Sequence, residues 1–219
     1  MISVVMITMN EEQSVGQVIR DIRAAVPQAE ILIVDSSKDR TSEIAESLGA
    51  RVLRQFPPKG YGRAMDLALR SARGEAVVTM DCDNTYPAGM IPVFARAILE
   101  EGYDLVDGSR LKQKPKAMPL INYIANKAFA LLASLLFMKP LTDLHSGMRA
   151  YKKTLIDTLS YDSQGAALPV ELLLRPLKLG KKIKVIFIDY RERVGCSTMR
   201  PLEGAYWTLK RILKVRFTR

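Results

Sequence analysis

Along the first hundred residues, short apolar runs alternate with longer stretches whose apolar side chains return every three or four positions. The runs "ISVVMIT" (2–8), "EILIVD" (30–35), "ARVLRQ" (50–55) and "EAVVTMD" (75–81) are rich in β-branched residues. Strands that are mostly apolar, with little polar alternation, belong to sheets buried on both faces. "YDLVDGS" (103–109) adds a fifth. The stretches near 13–25, 41–48, 63–72 and 88–101 predict helices, each closed by Pro or Gly. Strand and helix in turn give an α/β fold with a mostly parallel central sheet flanked by helices. In such sheets ligands bind beyond the C-terminal strand ends.

The pattern changes after residue 110. "RLKQKPKAMP" (110–119) is a basic, Pro-containing loop. A helix over 120–137 places Asn122, Asn126, Lys127 and Ser134 on one arc and Leu120, Ile124, Leu131 and Leu135 on the other. "KKIKVIFIDYRER" (181–193) predicts a late strand. From Leu202 a basic helix carries Leu202, Tyr206, Leu209, Leu213 and Phe217 as a stripe, bordered by Lys210 and Lys214. No internal repeat divides the chain, and 219 residues suit a single domain.

Composition narrows the partners. A net charge of +10, from 33 Lys and Arg against 23 Asp and Glu, calls for an anionic one: nucleic acid, a phosphorylated small molecule or an acidic membrane. Basic strips interleaved with aromatics are missing, which argues against nucleic acid. Cys82 and Cys196 lie far apart, without CxxC spacing or a secretory leader, so reduced thiols in a cytoplasm are expected. No stretch reaches the roughly 20 apolar residues that span a bilayer, so membrane contact is expected at the surface, through an interfacial helix over 120–138. Lys112, Lys114 and Lys116 beside that helix would each add about 1 kcal/mol at an anionic surface.

The segments that follow the strands hold the candidate chemistry. "MDCDNT" (80–85) sets Asp81 and Asp83 one residue apart at a strand end. Alternate residues share a face, so both carboxylates can aim at one hard cation, Mg²⁺ or Mn²⁺; equally, one of them can cap the next segment. Asp35 at the tip of "VDSSKDRT" can bind a base or ribose hydroxyl. "PKGYGRA" offers Lys59, Gly60 and free backbone N–H groups near a helix start, a phosphate-proximal arrangement or an ordinary glycine turn.

"ITMNEE", "VDSSKDRT", "KGYGRAMDLAL", "MDCDNTYP", "DGSR", "TDLHSGMRAY" and "YRERVGCSTM" occur in the order and rough spacing of glycosyltransferase family 2. Nearly the whole chain resembles that family, most of all its dolichol-phosphate mannose synthase and polyprenyl-phosphate glycosyltransferase branch. The resemblance implies a GT-A fold, a GDP- or UDP-sugar donor, a divalent cation, inversion, and a polyprenyl phosphate acceptor met at the cytoplasmic face of the membrane. It also implies a nucleotide-sugar half over 1–110, an acceptor half over 111–200 and a basic helix over 201–219.

By motif, Thr8, Asn10, Glu11, Asp35 and Asp39 would line the nucleotide, with Lys59 and Gly60 beside it. Asp81 and Asp83 would hold the cation, and Arg110, Arg193 and Ser197 would meet acceptor phosphate. Arg149 would add charge nearby or serve as a salt-bridged structural residue. Ile7 stands where the family usually has Pro, Ser36 where a second Asp often follows, and Thr198 where a Lys is expected. The last departure removes one phosphate contact. An ionised phosphate needs no general base, whereas a hydroxyl acceptor would, with Asp143 and Glu171 as candidates. The only histidine, His145, falls in a loop.

Overall fold

The computed structural model describes residues 1–195 and 201–218. Seven strands form one sheet: β1 (Ile2–Thr8), β2 (Glu30–Asp35), β3 (Arg51–Arg54), β4 (Ala76–Thr79), β5 (Leu105–Ser109), β6 (Arg149–Lys152) and β7 (Ile183–Phe187). Their order is β3-β2-β1-β4-β6-β5-β7. All pairings are parallel except those of β6, which runs against both β4 and β5. The five early strands match the apolar runs to within two residues at either end. β6 was not anticipated, because "RAYK" is short and opens on a charged residue.

Eight helices cover the sheet: α1 (Val15–Ala25), α2 (Thr41–Ser47), α3 (Tyr61–Ser71), α4 (Ile91–Leu99), α5 (Leu120–Phe137), α6 (Lys153–Thr158), α7 (Leu168–Lys178) and α8 (Pro201–Phe217). The helix expected over 88–101 opens as a 3-10 turn, Ala88–Met90, and Pro92 lies in the first turn of α4. α7 also escaped the sequence reading. Most of it is buried, Glu171 included, so it shows no one-sided stripe.

Two apolar layers sandwich the sheet. One joins alternate strand residues such as Val4, Met6 and Ile33 to α1, α2 and α4; the other joins Val5, Leu32 and Val77 to α3, α5, α6, α7 and α8. This alternation sends Thr8 and Asp35 to the first face and Asp81 toward the second.

α5 and α8 carry apolar residues outside as well as inside, where Ile212 and Val215 of α8 join Ala130 and Ala133 of α5 in the core. Leu120, Ile121, Ile124, Leu131 and Leu135 of α5 are exposed, while Ala130 and Ala133 face the core. The polar arc turns partly inward: the Lys127 ammonium donates to the Leu111 carbonyl at 2.7 Å and the Ser134 hydroxyl to the Ala130 carbonyl. The α8 stripe, Leu202, Tyr206, Leu209, Leu213 and Phe217, is likewise exposed, and Thr208 and Arg211 are buried instead. The helices touch each other, and His145 stands between them, its Nε2 2.8 Å from the Thr208 hydroxyl and its ring edge-on to Phe129. By length and composition alone α5 is long and apolar enough to cross a membrane, which the sequence reading had ruled out.

Candidate active site

The C-terminal ends of the parallel strands carry loops tied to one another by side-chain hydrogen bonds. Register places Thr8 beside Asp35 and Asp35 beside Arg54. Asp35 is fully buried; it accepts from the Thr8 hydroxyl at 2.6 Å, the Ser37 backbone N–H at 3.2 Å and the Arg54 guanidinium. Its carboxylate therefore braces the loop, and the groups next to it form the surface a nucleotide would meet. Asn10, at φ 62°, accepts from the Lys38 N–H through its side chain and donates its own N–H to Ser37. The Glu11 N–H donates to Thr41, whose hydroxyl and N–H in turn bond to Asp39. Thr8, Asp35 and Asn10 thus meet in one hydrogen-bonded cluster around Ser37, and Glu11 and Asp39 meet in a second around Thr41.

Lys59 and Gly60 stand exposed just before α3, and Gly60 adopts φ 93° with open space around it. Gly62, the second glycine of the pair, is required for packing. A Cβ there would lie 2.3 Å from the Ser163 carbonyl oxygen and 2.8 Å from that of Gly165.

The two aspartates after β4 play different parts. Asp83 is buried, accepts from the Thr85 N–H and hydroxyl through one oxygen, and faces the Arg193 guanidinium at 3.1 Å through the other. Arg193 also donates to Glu11 at 2.9 Å. The segment holding Arg193 is stitched alongside by backbone bonds from Val194 to Asp83 and from Arg191 to Thr85. Asp81 is partly accessible and receives no hydrogen bond from a described residue. Burial, and then the neighbouring Asp83 charge, push its carboxyl up to about 7. Cys82 between them turns into the core.

Such a carboxylate pair, one member braced and the other lacking a donor, fits a divalent cation that takes its remaining ligands from water and a diphosphate. Among the described residues no third acidic, His or Cys side chain completes a closed cage. Gly147, just before β6, packs against Asp81: a Cβ there would lie 2.8 Å from the carboxylate. Its N–H donates to the Tyr86 hydroxyl at 2.7 Å. Sequence reasoning missed this role, for which the glycine in "HSGM" was the available sign.

The other predicted residues part company here. Arg110 is buried and binds Asp143 at both ends, Nε to Oδ2 at 2.7 Å and Nη2 to Oδ1 at 3.0 Å, with Tyr190 against its plane. Little of it remains to meet an acceptor. Arg149 is 1% exposed; it donates to Asp107 at 2.6 Å and to the carbonyls of Leu144, Asp143 and Pro169, so it serves as a structural salt bridge and not as a phosphate contact. Asp143 has both oxygens engaged by Arg110, which holds its carboxyl down at about 2, so it is a weak base with no oxygen turned to an acceptor. Glu171 is fully buried between Arg175 and Arg211 on the inner side of α7, which removes the second candidate base. Ser197 lies outside the described residues. Arg193 is thus the predicted phosphate ligand that stands beside the carboxylate pair.

Known proteins carry the same pattern. The family described as Glycosyl transferase family 2 matches residues 3–160. The chain is 42% identical over 215 residues to a dolichyl-phosphate hexose transferase of Haloferax volcanii, covering 98% of this chain and 93% of that one. It is 30% identical over 207 residues to an undecaprenyl-phosphate mannosyltransferase of Micrococcus luteus, covering 88% and 84%. Among solved structures, glucosyl-3-phosphoglycerate synthase from Mycobacterium tuberculosis, in complex with Mn²⁺, UDP and phosphoglyceric acid, superimposes with a TM-score of 0.76 at 24% identity, covering 100% of this chain and 79% of that one. That likeness gives the GT-A fold. By its sequence, its sheet and its edge of connected loops, the chain belongs to glycosyltransferase family 2.

Proposed function

We propose that this glycosyltransferase moves a hexose, with inversion, from a nucleoside-diphosphate sugar to a polyprenyl phosphate at the cytoplasmic face of a membrane, with Mg²⁺ or Mn²⁺ as cofactor. One observation carries the reading: the half of the chain beyond the donor edge turns the apolar stripes of two adjoining helices, α5 and α8, outward. A lipid substrate and an interfacial enzyme account for both stripes. The two relatives, a dolichyl-phosphate hexose transferase and an undecaprenyl-phosphate mannosyltransferase, support it.

Asp81 and Asp83 would hold the cation, with Asp83 fixed by Thr85 and Asp81 backed by Gly147. A bound divalent cation supplies charge against the oxygens of the departing diphosphate. Thr8, Asn10, Glu11 and Asp39 would present the nucleotide's binding wall, which Asp35 braces from beneath. Lys59 and the N-terminus of α3 would face its phosphates. Arg193 would orient the acceptor phosphate. Both carboxylates suited to activate a hydroxyl are held by arginines, whereas an ionised phosphate attacks without a base. Lys112, Lys114, Lys116 and Lys210 would meet anionic headgroups around the apolar stripes.

A panel of GDP- and UDP-sugars, with and without Mg²⁺ or Mn²⁺, scored by thermal stabilisation, identifies the donor. Transfer is then measured to polyprenyl phosphate in vesicles. The expected product is a sugar phosphodiester, cleaved by mild acid. A product that is entirely acid-stable points to a hydroxyl acceptor and overturns the phosphate half of the proposal.

A further inference from the structure

The loop between α6 and α7 is held on two sides by its own alternating carbonyls. Those of Asp162, Gln164 and Ala166 accept from the Arg211 guanidinium of α8, at 2.9, 2.7 and 2.8 Å. Those of Ser163 and Gly165 press on Gly62, in the first turn of α3. Tyr161 adds a bond from its hydroxyl to Asp66 of α3 at 2.7 Å, and Trp207 of α8 lies so close to Gly165 that a Cβ there would come within 2.2 Å of its ring. The loop is a strip of backbone clamped between α8 and the start of α3.

That first turn matters to the site. It follows Lys59 and Gly60 directly, and Tyr61 lines a small cavity with Thr79 and Gly147, the residue that backs Asp81. Arg211 is 2% exposed, lies in the most C-terminal element, and among the described residues donates to Asp162, Gln164, Ala166 and Glu171.

We infer that Arg211 is a positioning residue for the donor: through the 161–167 strip it fixes the first turn of α3, and so sets where Lys59 and Gly60 stand relative to Asp81. The inference rests on the proposed donor site. A planar guanidinium suits the task, because it can donate to three carbonyls and to Glu171 at once; an ammonium has three donors and no fixed fork.

Arg175 provides the control. It pairs with the same Glu171 but has no bond to the strip, so Arg175→Met removes a comparable ion pair and leaves the clamp in place. Full-length wild type, Arg211→Met, Arg211→Lys and Arg175→Met are compared by binding of UDP and of GDP in the presence of Mn²⁺, and by amide exchange over 61–65. Arg211→Met is expected to weaken nucleotide binding about tenfold or more, the scale on which small displacements act, and to speed exchange over 61–65. Arg211→Lys recovers part of both, and Arg175→Met changes neither. Wild-type behaviour in Arg211→Met, or equal losses in Arg211→Met and Arg175→Met, overturns the inference.

Should Arg211→Met fail to fold, Gly62→Ala pushes on the strip from the other side with Arg211 intact, and unchanged binding and exchange in that variant overturn it as well. If wild type binds neither nucleotide, the donor site falls, while the exchange data still decide whether Arg211 holds α3.

Discussion

Among the described residues, 1–110 leave one carboxylate, Asp81, without a hydrogen-bond donor at the open edge of a parallel sheet, whereas 111–218 hold Asp143 and Glu171 against arginines and turn leucines to the outside. Asp81 in the first half lacks a hydrogen-bond donor among the described residues; Asp143 and Glu171 in the second have no oxygen to spare. Asp107–Arg149 and Arg110–Asp143 join the two halves across β5 and β6. The contrast separates charge arranged for a ligand from charge arranged for the fold. A carboxylate without a partner is tolerated where something else will bind it, and a fully matched one marks architecture.

The largest effect expected is at the unmatched Asp81. Asp81→Ala should lower transfer by about 10³-fold or more and abolish cation-dependent nucleotide binding, on the scale of losing a preorganised electrostatic contact. Its melting temperature without ligands should hold or rise, because a desolvated carboxylate beside Asp83 is relieved. Undiminished cation-dependent binding would break the comparison on its functional side.

Arg149→Leu probes the matched side. It strands Asp107 and three carbonyls in the interior and should cost about 3–5 kcal/mol in denaturant unfolding. A loss no larger than that of a surface substitution would mean that this pair is not what joins the halves.

Acid tests the same interior. Burial lowers His145 to about 4 from 6.5, so the unfolded chain takes up a proton that the folded chain refuses. The His145 contribution is therefore complete above 6.5 and falls as pH drops toward 4, by up to about 3 kcal/mol, while Asp81, raised to about 7, contributes with the opposite sign over the same range. Asp143, at about 2, shifts the same way at lower pH: its contribution is present above 3.8 and is lost as pH falls toward 2. Relative to wild type, His145→Phe should gain stability at pH 4 against pH 6.5; an unaltered pH dependence in that range would assign it to other groups.

The outward leucines sharpen the comparison most gently. Leu131→Glu in α5 should leave folding stability within about 0.5 kcal/mol, as for other exposed positions. Its partition to anionic vesicles should fall by about 2 kcal/mol, the value of one leucine withdrawn from an apolar phase. If stability falls and partition holds, the stripe packs against protein.

The parallel sheet was legible because doubly buried strands read as plain apolar runs, and the edge that carries the candidate site followed from topology. What stayed hidden was whatever a one-dimensional pattern cannot weigh. β6 opens on Arg149, which sequence alone sends to the surface, yet Asp107 in the neighbouring strand lets it sit inside. α7 is apolar on nearly every side, so no period marks it. The stripes of α5 and α8 were visible, but which side of each helix would face the core was not, since that depends on Lys127, Ser134 and Arg211 finding buried carbonyls. That Arg193 would face Asp83 and Gly147 would pack against Asp81 required the fold.

Trp207 gives the molecule an optical reporter of its own. It is the only tryptophan in the chain, set between the Lys210 ammonium, 4.5 Å from its ring, and the backbone at Gly165. It lies on α8, the helix whose exposed stripe is proposed to meet lipid and whose other side holds the 161–167 strip. Its intrinsic fluorescence should respond both when vesicles are added and when nucleotide is, with no label attached, so a single cuvette can follow the two encounters in whichever order they occur.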